Sequence, residues 1–169
     1  MGQKLATGQG APVSFLGRDP DDQEQLLTEL FRRSWVDLVR LATLLTGSVT
    51  IAEDLVQDSF LRLEMRSTMP DDPTRYLRTS VVNACRSHHR RRLLELRHRP
   101  VPPGSGMDNP VELWDILDRL SRRQRTALVL RYYMDLPGDE IAAILRCRPA
   151  TVRSLVQRGL TRLREELSP

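Results

Sequence analysis

The stretch Gly138–Leu167, GDEIAAILRCRPATVRSLVQRGLTRLREEL, decides the fold. Ile141, Ala142 and Leu145 fall three to four residues apart, on one face of a first short helix, and Ala142 is small enough to let a second helix cross closely. Cys147 falls in the turn. Pro149 suits the first turn of the next helix, where its missing N–H costs nothing, and Val152, Leu155 and Val156 give that helix an apolar stripe. The spacing predicts a helix-turn-helix whose outer face carries Arg148, Thr151, Arg153, Ser154, Gln157 and Arg158. Arg and Gln can read base edges in a major groove, and Ser, Thr and further Arg can hold phosphates. The plainer alternative is an amphipathic helical hairpin with a solvated arginine face. Arg146 stands where such turns often carry Gly.

Outward from this segment the chain reads as all-α, two small helical domains joined by a Pro/Gly-rich linker. Residues 1–24 are rich in Gly, Pro, Gln and Asp, lack apolar periodicity, and predict a disordered tail. A helical pattern begins near Gln25 with Leu27, Leu30, Phe31, Leu38, Leu41, Ala42 and Leu45, and Gly47 offers a stop. A second helix is expected from about Thr50 to Arg66. It buries Ala52, Leu55, Val56, Ser59, Phe60 and Leu63, and leaves Glu53, Asp54, Gln57, Asp58 and Arg62 outside. A third runs from about Arg75 to Leu96 with Leu77, Val81 and Ala84 inside and a basic run from Arg86 to Arg92. Residues 97–110 form the linker, with four prolines and two glycines. The second domain, 111–169, opens with the stripe Leu113, Ile116, Leu117 and Leu120. Ser121 is placed to cap the next helix, in which Leu128, Leu130 and Tyr132 mark an apolar segment.

Charge is distributed in blocks. Residues 66–100 carry nine basic against three acidic side chains and residues 122–169 carry ten against five, whereas 1–65 and 101–121 are net acidic. Two basic blocks predict two separate polyanion contacts and leave the acidic blocks for another partner. Cys85 and Cys147 are too few for a disulfide framework or a zinc site, so a reduced cytoplasm is the expected compartment. Adjacent His88 and His89 point to different sides of a helix, which predicts solvated or phosphate-facing rings and no metal. No apolar run reaches bilayer length, and residues 1–25 lack a signal peptide's apolar core, so no membrane insertion is expected. Asp54 and Asp58 share a helix face but have no third ligand, which argues against a metal-dependent nuclease. No catalytic residue and no cofactor are expected.

Four segments taken in order, AEDLVQDSFLRLE (52–64), YLRTSVVNACRSHHRRR (76–92), RRQRTALVLRYYMDLPGDEIAAIL (122–145) and TVRSLVQRGLTRLREEL (151–167), resemble the extracytoplasmic-function sigma factors, small two-domain members of the bacterial sigma family. The resemblance covers nearly all of residues 26–167. It implies an alternative sigma factor, not an enzyme, that directs core RNA polymerase to promoters and to DNA opening. Residues 25–96 would be sigma region 2, binding the β′ clamp and the −10 element. Residues 111–169 would be region 4, binding the β flap and the −35 element. Carried over position by position, it assigns Asp54, Gln57, Asp58 and Arg62 to core polymerase. It assigns Tyr76, Asn83, Arg86, Arg90, Arg91 and Arg92 to −10 DNA, with the loop from Met69 to Thr74 helping to receive a displaced base. Arg148, Thr151, Arg153, Ser154, Gln157 and Arg158 go to −35 DNA. An anti-sigma factor is a further partner that the resemblance allows. Tyr76 replaces a common Trp, Ser87 a common Asp, Leu155 an often basic residue, and Gly159 a usual Ala. An interior helical Gly costs roughly 1 kcal/mol unless something packs closely against it. The competing reading is an autonomous helix-turn-helix repressor or activator, which leaves the 52–64 and 75–92 faces without roles.

Overall fold

In the computed structural model, residues 20–98 and 111–167 are described; the predicted tail up to residue 19 and the linker residues 99–110 lie outside them. Among the described residues the chain is helical throughout, with no strand. The helices are α1 (Pro20–Thr46), α2 (Val49–Glu64), α3 (Pro73–His98), α4 (Val111–Asp118), α5 (Arg122–Leu128), α6 (Gly138–Leu145) and α7 (Pro149–Leu167), and a π-helical segment, Val129–Tyr133, continues α5.

Several helix ends have a local cause. Helix α1 begins at Pro20, five residues before the apolar periodicity, so the expected tail of 1–24 is too long at its end; proline is well tolerated in a first turn. It stops at Gly47, whose φ of +81° is open to glycine and whose N–H returns to the Thr43 carbonyl at 2.8 Å. Ser48 caps α2 by accepting from the Ile51 N–H, and Asp72 accepts from the Arg75 N–H at 2.8 Å at the start of α3. Ser121 and Gln124 form a reciprocal capping box on α5.

The first three helices pack around Leu38, Leu41, Leu55, Val56, Leu63, Leu77, Val81 and Val82. Phe31, expected inside, is 43% exposed; it stacks on Trp35 with centroids 4.7 Å apart and meets Phe60 at 5.2 Å. The second group of helices buries Leu128, Leu130, Ile141, Ile144, Leu145, Val152 and Leu155. Tyr132, read as part of an apolar segment, is exposed. The π-segment changes the register there, with the Met134 N–H reaching the Val129 carbonyl five residues back.

The two groups share one continuous core and are tied by polar contacts. Arg125 is 4% exposed; it donates to the Leu117 carbonyl at 3.0 Å, to the Leu45 carbonyl of α1 at 3.4 Å and to Asp118 Oδ1 at 2.7 Å, and lies 4.5 Å over the Trp114 ring. Burial lowers its pKa while Asp118 opposes the shift, and a guanidinium remains charged regardless. Trp114 in turn sits against Gly47, where an added Cβ would lie 2.4 Å from the indole. Arg78 of α3 meets Glu140 of α6 at 2.7 Å, both largely buried.

Candidate nucleic-acid and polymerase interfaces

Helix α7 owes its orientation to the turn before it. Arg146 ends α6 with φ +51° and ψ +54°, and the Cys147 N–H returns to the Ala142 carbonyl at 2.9 Å. A non-glycine residue in this left-handed region costs about 1 kcal/mol, which the turn must sustain. Beyond it Val152 and Leu155 are buried, and Arg148, Arg153, Ser154, Gln157 and Arg158 are exposed, with Thr151 half-buried. The helix-turn-helix face expected from the spacing is therefore assembled. Arg158 Nε donates to the Ser154 carbonyl of its own helix at 3.2 Å, which holds it near the helix surface. Gly159 has a packing reason: an added Cβ would lie 2.7 Å from Leu128 Cδ1. That is the close neighbour an interior helical glycine requires.

On α3 the −10 candidates divide. Asn83, Arg86 and Arg90 line one cavity together with Ser87, whereas Arg91 and Arg92 are exposed and do not line it. Tyr76 stands one end away, half-buried, with the Arg66 guanidinium 5.0 Å over its ring. His89 corrects the expectation of a solvated or phosphate-facing ring: it is half-buried and its Nε2 contacts the Leu45 carbonyl at 2.8 Å, so that nitrogen carries a proton and donates. Burial first, and then Arg122 and Arg125, hold its pKa below the ordinary histidine value, against the raising effect of that hydrogen bond. His88, less buried, is lowered in the same direction, by burial first and then by Arg91 and Arg92.

On α2, Asp54, Gln57, Asp58 and Arg62 are all exposed on one side, with Arg62 3.6 Å from Asp58. Leu61 is 47% and Met65 85% exposed. Continuing the Asp54–Asp58 spacing, they lengthen that face by an apolar turn that the sequence reading did not single out. An acidic face ending in exposed apolar side chains is suited to a basic amphipathic partner. Among the described residues no group of three His, Cys, Asp or Glu could hold a metal, and no helix is long and apolar enough to cross a membrane. Cys85 is free and buried, its thiol pushed up to about 12 by burial, which leaves it unreactive.

Residues 30–93 match the sigma-70 region 2 family and residues 111–163 match sigma-70, region 4. The chain belongs to the sigma-70 family. This sigma factor is 34% identical over 140 residues to the RNA polymerase sigma-E factor of Streptomyces coelicolor, covering 77% of this chain and 79% of that one. It is 32% identical over 140 residues to the ECF RNA polymerase sigma factor SigJ of Mycobacterium tuberculosis, covering 72% of this chain and 45% of that one. Its fold matches that of the sigma factor RpoE in complex with the anti-sigma factor NepR from Bartonella quintana, with a TM-score of 0.68, 25% identity, and coverage of 88% and 99%. CnrH, solved in complex with the cytosolic domain of CnrY, shares the fold at a TM-score of 0.66 and 23% identity, covering 85% of this chain and 88% of that one. These likenesses place this sigma factor in the extracytoplasmic-function branch, as an alternative factor that directs promoter-specific transcription initiation.

Proposed function

We propose that the two helical groups divide the work of initiation, with residues 25–96 acting as region 2 on the polymerase clamp and the −10 element and residues 111–169 acting as region 4 on the β flap and the −35 element. The single observation that carries this reading is the coexistence on one chain of an exposed Asp54–Asp58 face, a basic α3 and an assembled helix-turn-helix with exposed Arg153 and Gln157. A free-standing repressor would need only the last. Asp54, Gln57, Asp58 and Arg62 meet a basic partner helix on core polymerase. Tyr76, Asn83, Arg86, Arg90, Arg91 and Arg92 hold the −10 strand, and Arg148, Thr151, Arg153, Ser154, Gln157 and Arg158 hold the −35 duplex.

The protein on this reading is a detachable specificity subunit, not an enzyme, and works in the cytoplasm without a cofactor. An anti-sigma factor, of the kind bound by RpoE in its solved complex with NepR, is a further expected partner. The test is retention on immobilised core polymerase. Asp54→Arg with Asp58→Arg sets like charge against the partner helix and should lower retention at least tenfold, while the variant's affinity for −35 duplex DNA stays that of the wild type. Undiminished retention of the double variant would refute the assignment of this face.

A further inference from the structure

Three arginines from the two helical groups line one cavity of about 450 Å³: Arg86 and Arg90 from α3, and Arg146 from the turn of the helix-turn-helix. Asn83 and Ser87 complete the lining, so every lining side chain is polar, and no carboxylate and no aromatic ring is among them. None of the three arginines forms an ion pair among the described residues, in contrast with Arg62, Arg78, Arg119 and Arg125, which do. Arg146 reaches the cavity from a backbone with φ +51°, a conformation in which glycine would sit without strain. A strained residue that brings a third like charge to two others is arranged against its own electrostatics, and an anion between them would remove the conflict.

We infer that this cavity binds a compact oligophosphate, the inorganic pyrophosphate or triphosphate group, in the docked arrangement of the two helical groups. Guanidinium forks bind phosphate oxygens bidentately, and the Asn83 amide and Ser87 hydroxyl can donate to further oxygens. Three positive charges match an oligophosphate better than a single small anion. No aromatic ring lines the cavity for a nucleobase to stack on, and the guanidinium planes that could stack are the same groups that hold the phosphates, so the phosphate chain is what the site recognises. A strand phosphate of promoter DNA fits less well: −10 and −35 elements lie about 85 Å apart at 3.4 Å per base pair, so the group carrying Arg146 must leave α3 when both are engaged. Only a ligand of the docked arrangement meets all three arginines. By occupying Arg86 and Arg90 it would also compete with −10 DNA. That consequence rests on the proposed DNA role of α3, whereas the anion site does not.

Calorimetric titration of the full chain with inorganic triphosphate at low salt tests the site. Saturable 1:1 binding is expected, weakened at least tenfold by Arg146→Gly, which keeps the turn unstrained, and by Arg90→Ala, and weakened less by Arg146→Lys, which keeps the charge but loses the fork. The same titration with sodium chloride at matched ionic strength should show no saturation. Equal binding by wild type and Arg146→Gly, or a wild-type signal that chloride reproduces, would overturn the inference. In a second arm, triphosphate should displace a −10 single strand from wild type and fail to do so from Arg146→Gly. Saturable binding without displacement would leave the anion site standing and contradict only the −10 assignment of α3. If the single strand binds Arg146→Gly tenfold more weakly than wild type and triphosphate binds neither, the site belongs to DNA and the inference is wrong.

Discussion

Gly159 concentrates two opposing effects in one residue. In a free helix, Gly159→Ala would stabilise by roughly 1 kcal/mol through reduced backbone entropy. Here the new methyl lies 2.7 Å from Leu128 Cδ1, so Leu128 must leave its place in the second group's core. The net effect is expected to be destabilising by about 1 kcal/mol or more in urea unfolding. In a Leu128→Ala background the same substitution should become neutral or stabilising, and a cycle with no coupling would contradict the packing. His89 gives a pH dependence of definite sign. Its folded pKa lies below the unfolded value near 6.5, so the unfolded chain takes up the proton first as pH falls. The stability contributed by the neutral ring is full above pH 6.5 and is lost as pH falls through the folded pKa. The urea midpoint should therefore rise between pH 5 and 7. His89→Gln should flatten that rise, leaving the share of His88, and an unchanged slope would mean that the ring is free.

On the proposed function, helix α7 is the element on which −35 choice depends. Arg153 and Gln157 lie one turn apart on its exposed side, and Arg148 and Arg158 flank them. Gln157→Ala or Arg153→Ala is expected to cost about 1–3 kcal/mol and to relax the preference at one −35 position. Arg158→Ala should weaken all sequences alike and flatten the salt dependence by about one unit of slope. Selection from a randomised promoter pool separates the two patterns; unchanged preferences for both Arg153→Ala and Gln157→Ala would put the wrong face in the groove. At this scale much was legible in the chain. The stripes of α2, α3 and α7, the stop at Gly47 and the cap at Ser121 follow from local spacing and capping chemistry, which act within a few residues. The π-segment did not, because no spacing or capping residue marks the shift of helical register after Leu128, and the segment packs against α1 and α6 as well as its own helix. His89 was misread for a related reason: its partner, the Leu45 carbonyl, is remote in sequence. The exposed candidates on α2 and α7 could be read as outward faces from the apolar stripes opposite them; the Arg, Gln, Ser and Thr of α7 pointed to duplex DNA by their own chemistry, whereas what the α2 face binds came from the resemblance.

The whole molecule holds its two groups together by long-range contacts that no periodicity encodes: Arg125 on the Leu45 carbonyl, Trp114 against Gly47, and Arg78 with Glu140. Arg125 and Arg78 look like any other basic residue in the chain, and only the fold reveals them as buried ties. A chain of this length packs into roughly 40 Å, while two promoter elements centred about 85 Å apart demand more reach. With the two groups on the −10 and −35 elements as proposed, the docked arrangement gives way on the polymerase, and the free chain should bind promoters only in the nonspecific range of roughly 10⁻⁴–10⁻⁶ M. Mapping transcript 5′ ends genome-wide after reconstitution with core RNA polymerase should reveal a discrete set of start sites, absent with core alone, that share −35 and −10 sequences at fixed spacing. Start sites identical to those of core alone, or tight protection of a palindromic site by the free chain, would contradict the proposed function.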